Sequence, residues 1–80
     1  MTVSDEMLEF LDARTKRSWS IDEDLFASGV VSSLFALELV VHLEQTFGVE
    51  VSGEELMLDN FRTVRAMTDL VERLRGGPAS

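Results

Sequence analysis

Eighty residues without a cysteine make one small domain whose stability must come from a compact apolar core, because neither a disulfide nor a thiolate metal site can staple it. Fifteen acids against seven bases give a formal net charge of −8, which repels a phosphate backbone and argues against nucleic acid as a partner. No apolar run approaches the length of a bilayer span, and residues 1–6 carry no basic region followed by an apolar stretch, so no membrane association is expected and a cytoplasmic setting is.

The first predicted helix covers Ser4–Arg17. Ser4 is its candidate cap, Asp5 and Glu6 fall in the first turn, and Arg14, Lys16 and Arg17 fall in the last, an order that complements the helix dipole. Met7, Leu8 and Leu11 mark its buried side. Residues 18–32 lack a helical period and read as a long loop, and loops of this length in small domains are more often functional than not. Its apolar residues Trp19, Ile21, Leu25 and Phe26 predict that it lies over the core, and Gly29 supplies a flexible point near its end.

The strongest helical pattern runs from Ser33 to Phe47, with Gly48 as the stop. At about 100° per residue, Ala36, Leu39, Val40, Leu43 and Phe47 share one face, which is the expected core face. Leu34, Leu37 and Val41 form a second apolar strip, turned about 130° away and bordered by Glu38, Glu44 and Gln45. That strip either packs against the loop or a neighbouring helix, or stays partly exposed as a docking surface with an acidic border. Turn signals fill residues 48–62, with a short helix expected within Ser52–Phe61. Thr63 is the candidate cap of the last helix, whose stripe is Val64, Met67, Val71 and Leu74, widened by Leu70. The pattern predicts an all-α fold, a small up-and-down four-helix bundle of three main helices and one short one. Its domain covers residues 1–75, followed by a flexible tail over 76–80. The four methionines read as core filling.

Catalytic constellations are missing, so no catalytic residue is assigned. There is one histidine, His42, and no cysteine or tyrosine. His42 falls off the core face and is expected to be exposed. Nine residues of one helix separate it from Ser33, about 13 Å of rise, too far for a nucleophile–base pair. Asp22-Glu23-Asp24 resembles a calcium loop only superficially, because the sixth position from Asp22 is Ala27 where an EF-hand needs glycine. No metal ligand set is expected. Ser33 remains. A serine opening a helix is usually a cap, yet the same position favours a phosphate, because the first turn presents unpaired N–H groups and positive partial charge.

The charges are segregated along the chain. No Lys or Arg occurs between Ser18 and Phe61, a stretch that holds Asp22, Glu23, Asp24, Glu38, Glu44, Glu50, Glu54, Glu55 and Asp59. Such a block either steers basic partners by long-range attraction or is a solvated surface that keeps the domain soluble.

The run Asp24-Leu25-Phe26-Ala27-Ser28-Gly29-Val30-Val31-Ser32-Ser33-Leu34 resembles the phosphopantetheine attachment region of acyl and peptidyl carrier proteins. That region reads aspartate-leucine-phenylalanine, a glycine, two aliphatics, aspartate, the modified serine, then leucine. The likeness continues through Glu38-Leu39-Val40, Leu43-Glu44, Phe47-Gly48-Val49 and Phe61-Arg62-Thr63-Val64, and covers the chain from about Leu8 to Leu74. It implies a non-catalytic four-helix carrier. A phosphopantetheinyl transferase moves a 4'-phosphopantetheine arm from coenzyme A onto Ser33, and the arm's thiol holds an acyl group as a thioester. It also implies a monomer that meets acyl-loading and acyl-modifying enzymes through Leu34, Leu37, Glu38, Val41 and Glu44. Two departures stand out. Ser32 replaces the usual aspartate, so Ser32 is a second candidate for attachment, although register favours Ser33. Phe35 and Gln45 replace positions that are often acidic in fatty-acid carriers, which shifts docking toward shape and apolar contact. Within the family, Ser33-Leu34-Phe35-Ala36 looks most like discrete methoxymalonyl and hydroxymalonyl carriers, whose cargo begins as a glyceryl unit and passes to a polyketide synthase. The alternatives are a carrier of another acyl or aminoacyl group, or a helical adaptor that binds basic proteins and carries nothing.

Overall fold

The computed structural model describes residues 2–76, and the expected tail beyond Gly76 lies outside the described residues. Among the described residues the regular structure is all helical, with α1 over Val3–Thr15, α2 over Ser33–Phe47, α3 over Leu58–Phe61 and α4 over Val64–Leu74. A 3-10 turn at Gly53–Glu55 precedes α3, so the single short helix expected within Ser52–Phe61 is two short pieces.

The cap of α1 is Thr2, not Ser4. Thr2 Oγ1 accepts the Asp5 N–H at 3.1 Å while the Asp5 carboxylate accepts the Thr2 N–H, a reciprocal box that starts the helix earlier than Ser4 would. Ser4 only shares a 3.1 Å contact with the Thr2 hydroxyl. The helix also ends earlier than Arg17. Lys16 turns left-handed at φ 62° and its N–H closes on the Asp12 carbonyl, so Arg14 alone stands in the last turn. The stops and starts of the other long helices follow the sequence. Gly48 ends α2 at φ +66°, and the Thr63 hydroxyl accepts the Ala66 N–H at 3.0 Å to open α4.

The core is built from one face of each long helix. Met7 and Leu11 of α1, Leu39 and Leu43 of α2, and Val64, Met67, Leu70 and Val71 of α4 are fully buried, joined by Phe61 of α3. Ala36, Val40 and Phe47, expected on the same face as Leu39 and Leu43, are half-buried at its margin. Met7 and Met67 fill the core as expected, whereas Met57 is exposed and corrects that expectation, and Met1 lies outside the described residues.

Residues 16–32 lie over this core. Leu25 is fully buried, Trp19 and Val31 nearly so, and Ile21 and Phe26 are half-buried against it. The connection is pinned to the α3–α4 junction by backbone hydrogen bonds from Leu25 N–H to the Arg62 carbonyl (2.8 Å) and from Arg65 N–H to the Ile21 carbonyl (2.9 Å). Its acids reinforce the attachment. Arg65 forms a two-point pair with Asp22 and Arg62 reaches Asp24 at 3.3 Å, while Arg17 reaches Glu23 at 2.5 Å within the connection itself. Asp24 also accepts the Phe26 and Ala27 N–H groups, which folds the turn before Gly29. The Asp22-Glu23-Asp24 run is therefore a set of fasteners, and among the described residues no group of three or more metal-ligating side chains converges.

Candidate functional site

The pinned loop delivers two adjacent serines to the start of α2, and the structure gives them different roles. Ser32 is the N-cap. Its backbone is extended, its hydroxyl accepts the Phe35 N–H at 3.4 Å, and its carbonyl accepts the Ala36 N–H at 3.0 Å. Serine thus keeps the capping chemistry of an aspartate at this place and drops its charge. Ser33 is the first helical residue and is exposed. The reading of Ser33 as a possible cap is corrected accordingly, since the cap lies one residue earlier. The first turn of α2 holds no acid, so its free N–H groups face solvent without a competing carboxylate.

Beside Ser33 a groove of about 180 Å³ opens between α2 and the segment through α3, lined by Ala36, Leu37, Val40, Leu56, Met57 and Phe61 among others. Leu34, Leu37 and Val41 are 76%, 59% and 49% exposed, so the second strip on α2 faces outward. Leu56, Met57 and Leu58 are equally open and extend the apolar surface across the groove. Sequence reasoning missed these three. The available signal was the run itself: three consecutive apolar residues in a helical or turn segment cannot all face one core.

The two acids of the expected docking set are placed differently. Glu38 is exposed and paired with Arg14 of α1. Glu44 is half-buried and turned to the end of α2, where its carboxylate accepts the Val51 N–H at 2.9 Å. On the α1 side of the strip, Leu37, Glu38 and Val41 line a second, more open depression of about 380 Å³ with Phe10, Arg14, His42 and Gln45.

His42 is not the exposed side chain expected from the helical wheel. It is off the core face, but Phe10 of α1 covers it, with ring centroids 3.8 Å apart and an interplanar angle of 19°. Burial pulls its pKa below the ordinary 6.5; Arg14 acts in the same direction and Glu6 against it. The folded state thus binds this proton less readily than the unfolded chain. Stability from this group is full above the unfolded pKa and is lost as pH falls through it toward the lower folded value. Melting temperature should therefore drop between about pH 7.5 and about pH 5.5 in the wild type, and His42→Gln should flatten that slope. A slope unchanged in the variant would assign the effect to another group. Asp22 and Asp24 act in a lower window. Hydrogen bonding to Arg65 lowers the Asp22 pKa, while for Asp24 the Ala27 N–H is the main cause, aided by Arg62. What these two add is present above the ordinary carboxylate range and is lost only in strong acid.

Comparison with known proteins meets this geometry at the same place. Residues 2–71 match the family described as the phosphopantetheine attachment site. The chain belongs to that family of carrier proteins. D-alanyl carrier proteins of Streptococcus pyogenes, from serotype M5 (strain Manfredo), serotype M49 (strain NZ131) and serotype M1, are each 36% identical to it over 77 residues, covering 94% of this chain and 98% of the relative. Family membership makes the protein a non-catalytic carrier with covalent 4'-phosphopantetheine, served by a transferase that attaches the arm and by enzymes that load it. The all-helical fold agrees with the carrier architecture. Among the described residues, no helix is long and apolar enough to cross a membrane.

Proposed function

We propose that residues 1–75 form a discrete, monomeric, cytoplasmic carrier whose arm is attached at Ser33 and whose cargo is a small three-carbon acyl group. The observation that carries the assignment is the division of labour between the two serines: Ser32 spends its hydroxyl on the Phe35 N–H, while Ser33 stands exposed in the first turn beside the apolar groove. A phosphodiester on Ser33 would sit among free N–H groups at the positive end of a fifteen-residue helix. Leu34, Leu37 and Val41, with Glu38 and Glu44 along the same helix, form the surface that partner enzymes cover.

For the cargo, the Ser33-Leu34-Phe35-Ala36 run supports an extender unit that starts as a glyceryl group, becomes hydroxymalonyl or methoxymalonyl, and passes to a polyketide synthase. The similarity to D-alanyl carriers supports a second reading, an aminoacyl cargo of the same carbon count. Both cargoes are short, with a polar substituent next to the thioester carbonyl; they differ in whether that substituent is a hydroxyl or an ammonium group.

Intact mass tests both levels. Co-expression with a broad-specificity phosphopantetheinyl transferase should add one arm per chain. The purified holo-protein should then gain a glyceryl group from a glyceryl-loading enzyme. Gain of D-alanine alone, from a D-alanine-activating ligase with ATP, would establish the second reading. No arm under several transferases would overturn the carrier assignment and leave the adaptor reading.

A further inference from the structure

Arg62 joins two segments that lie far apart in the sequence. It closes α3 as its C-cap, one residue after Phe61, which is buried and lines the groove beside Ser33. Its guanidinium meets a carboxylate from each side: Asp24 of the connection at 3.3 Å and Asp59 of α3 at 3.1 Å. Its carbonyl accepts the Leu25 N–H at 2.8 Å. Hydrogen bonds to Asp24, then to Asp59, raise the Arg62 pKa above its ordinary value.

Each of these carboxylates is one step from the site. Asp24 divides its oxygens. Oδ1 accepts the Phe26 and Ala27 N–H groups at 3.1 and 3.0 Å and folds the turn that leads through Gly29 to Ser33, while Oδ2 takes Arg62. Asp59 follows Leu58, which lines the groove on the α3 side. A guanidinium carries its donors in a rigid planar fork, so it holds two carboxylates at a set spacing where an ammonium would act as a point charge. Either exposed pair alone contributes little to stability. Sharing one cation gives them a further effect, because the turn before Ser33 and the wall across the groove cannot shift apart without breaking a pair. Arg62 does not line the groove itself, so it acts on the site through these neighbours.

We infer that Arg62 is a positioning residue for arm attachment: it ties the Asp24 turn to the α3 wall, so that the segment before Ser33 and the groove beside it take their working arrangement together. This inference rests on Ser33 as the attachment point. A chain without the tie populates that arrangement only part of the time, and a transferase meets less of the competent form. Such a defect raises KM and leaves kcat in place.

The test uses the full chain as substrate of a broad-specificity phosphopantetheinyl transferase at saturating coenzyme A, with the arm located by peptide mass mapping. Amide NMR spectra of the same unmodified proteins are read alongside. Arg62→Gln keeps the backbone carbonyl and should raise KM about fivefold, with kcat unchanged within about twofold. Arg62→Lys keeps the charge without the fork, and its KM should fall between those two. Asp24→Asn retains an oxygen for the turn and loses the ion pair, so it should raise KM as well and guards against misfolding of the Arg62 variant. Arg75→Gln makes the same change in net charge at the end of α4 and should track wild type. Asp59→Asn should move the amide signals of Ala27, Ser28 and Gly29, although Asp59 meets Arg62 and not the turn. In the Arg62→Gln background the same substitution should leave those signals in place, because the tie is already gone. Signals that move equally in both backgrounds would overturn the inference. So would a KM for Arg62→Gln equal to that of wild type or matched by Arg75→Gln, or a loss confined to kcat. An arm mapped to another residue, or no arm under several transferases, refutes the Ser33 reading and this inference with it, whereas transfer at Ser33 with the wrong pattern refutes the positioning role alone.

Discussion

Ser33→Ala should abolish the gain of a phosphopantetheine arm altogether, while Ser32→Ala should retain most of it at a cost of about 1 kcal/mol in stability. The two substitutions remove the same atom from neighbouring residues, so the difference between them reads position alone. Ser32 Oγ is a working cap, and its loss leaves the Phe35 N–H without that acceptor and loosens the first turn of α2. Transfer to Ser33 then slows because its turn frays, without losing its acceptor hydroxyl. Ser32→Asp preserves the cap and restores the family's usual acid, so it should keep both the melting temperature and the arm. The reverse pattern, with modification lost in Ser32→Ala and kept in Ser33→Ala, would move the arm one residue upstream and detach it from the groove.

The second large effect separates the two faces of α2. Leu39 is fully buried, and Leu39→Ala should cost about 2–5 kcal/mol, because the lost methyl groups leave a cavity that the surrounding residues fill only partly. Domains have total stabilities of roughly 5–15 kcal/mol, so this one change should bring a chain of this size close to unfolding. Leu37 lies two residues away and is 59% exposed. Leu37→Arg should leave the melting temperature nearly unchanged and lower turnover by partner enzymes about tenfold, the equivalent of one lost anchor of about 1.4 kcal/mol. Val41→Asp should behave in the same way. A collapsed melting temperature in Leu37→Arg, with Leu39→Ala tolerated, would mean that the strip and the core face had been exchanged.

Most of the fold was legible because local rules and tertiary packing agree in this chain. Val64, Met67 and Val71 recur at helical spacing and are buried together, and Thr63 and Gly48 cap as their chemistry dictates. Misreadings arose where a second residue could play the same part. Ser4 and Thr2 are both good caps, and the reciprocal bond with Asp5 decides for Thr2. Ser33 and Ser32 pose the same ambiguity at the site, and only the geometry shows which hydroxyl is engaged. His42 was placed correctly on its own helix, but a wheel contains no neighbouring helix and could not supply Phe10. The charge pattern was incomplete for a similar reason. Arg14 meets Glu38, Arg62 meets Asp24 and Arg65 meets Asp22 across separations of 24, 38 and 43 residues, and such pairs are invisible to any local reading.

The fastening of residues 21–25 to residues 62–65 also bears on when the protein becomes ready for its arm. The stretch that leads to Ser33 takes part of its shape from groups about 40 residues further down the chain, so a nascent polypeptide that ends before Arg62 lacks these fastenings. Closing so distant a contact carries a loop-entropy cost that is offset only once the last helix has packed. On the proposed attachment at Ser33, readiness for the arm would follow completion of the last helix, because only then is the stretch before α2 held in shape.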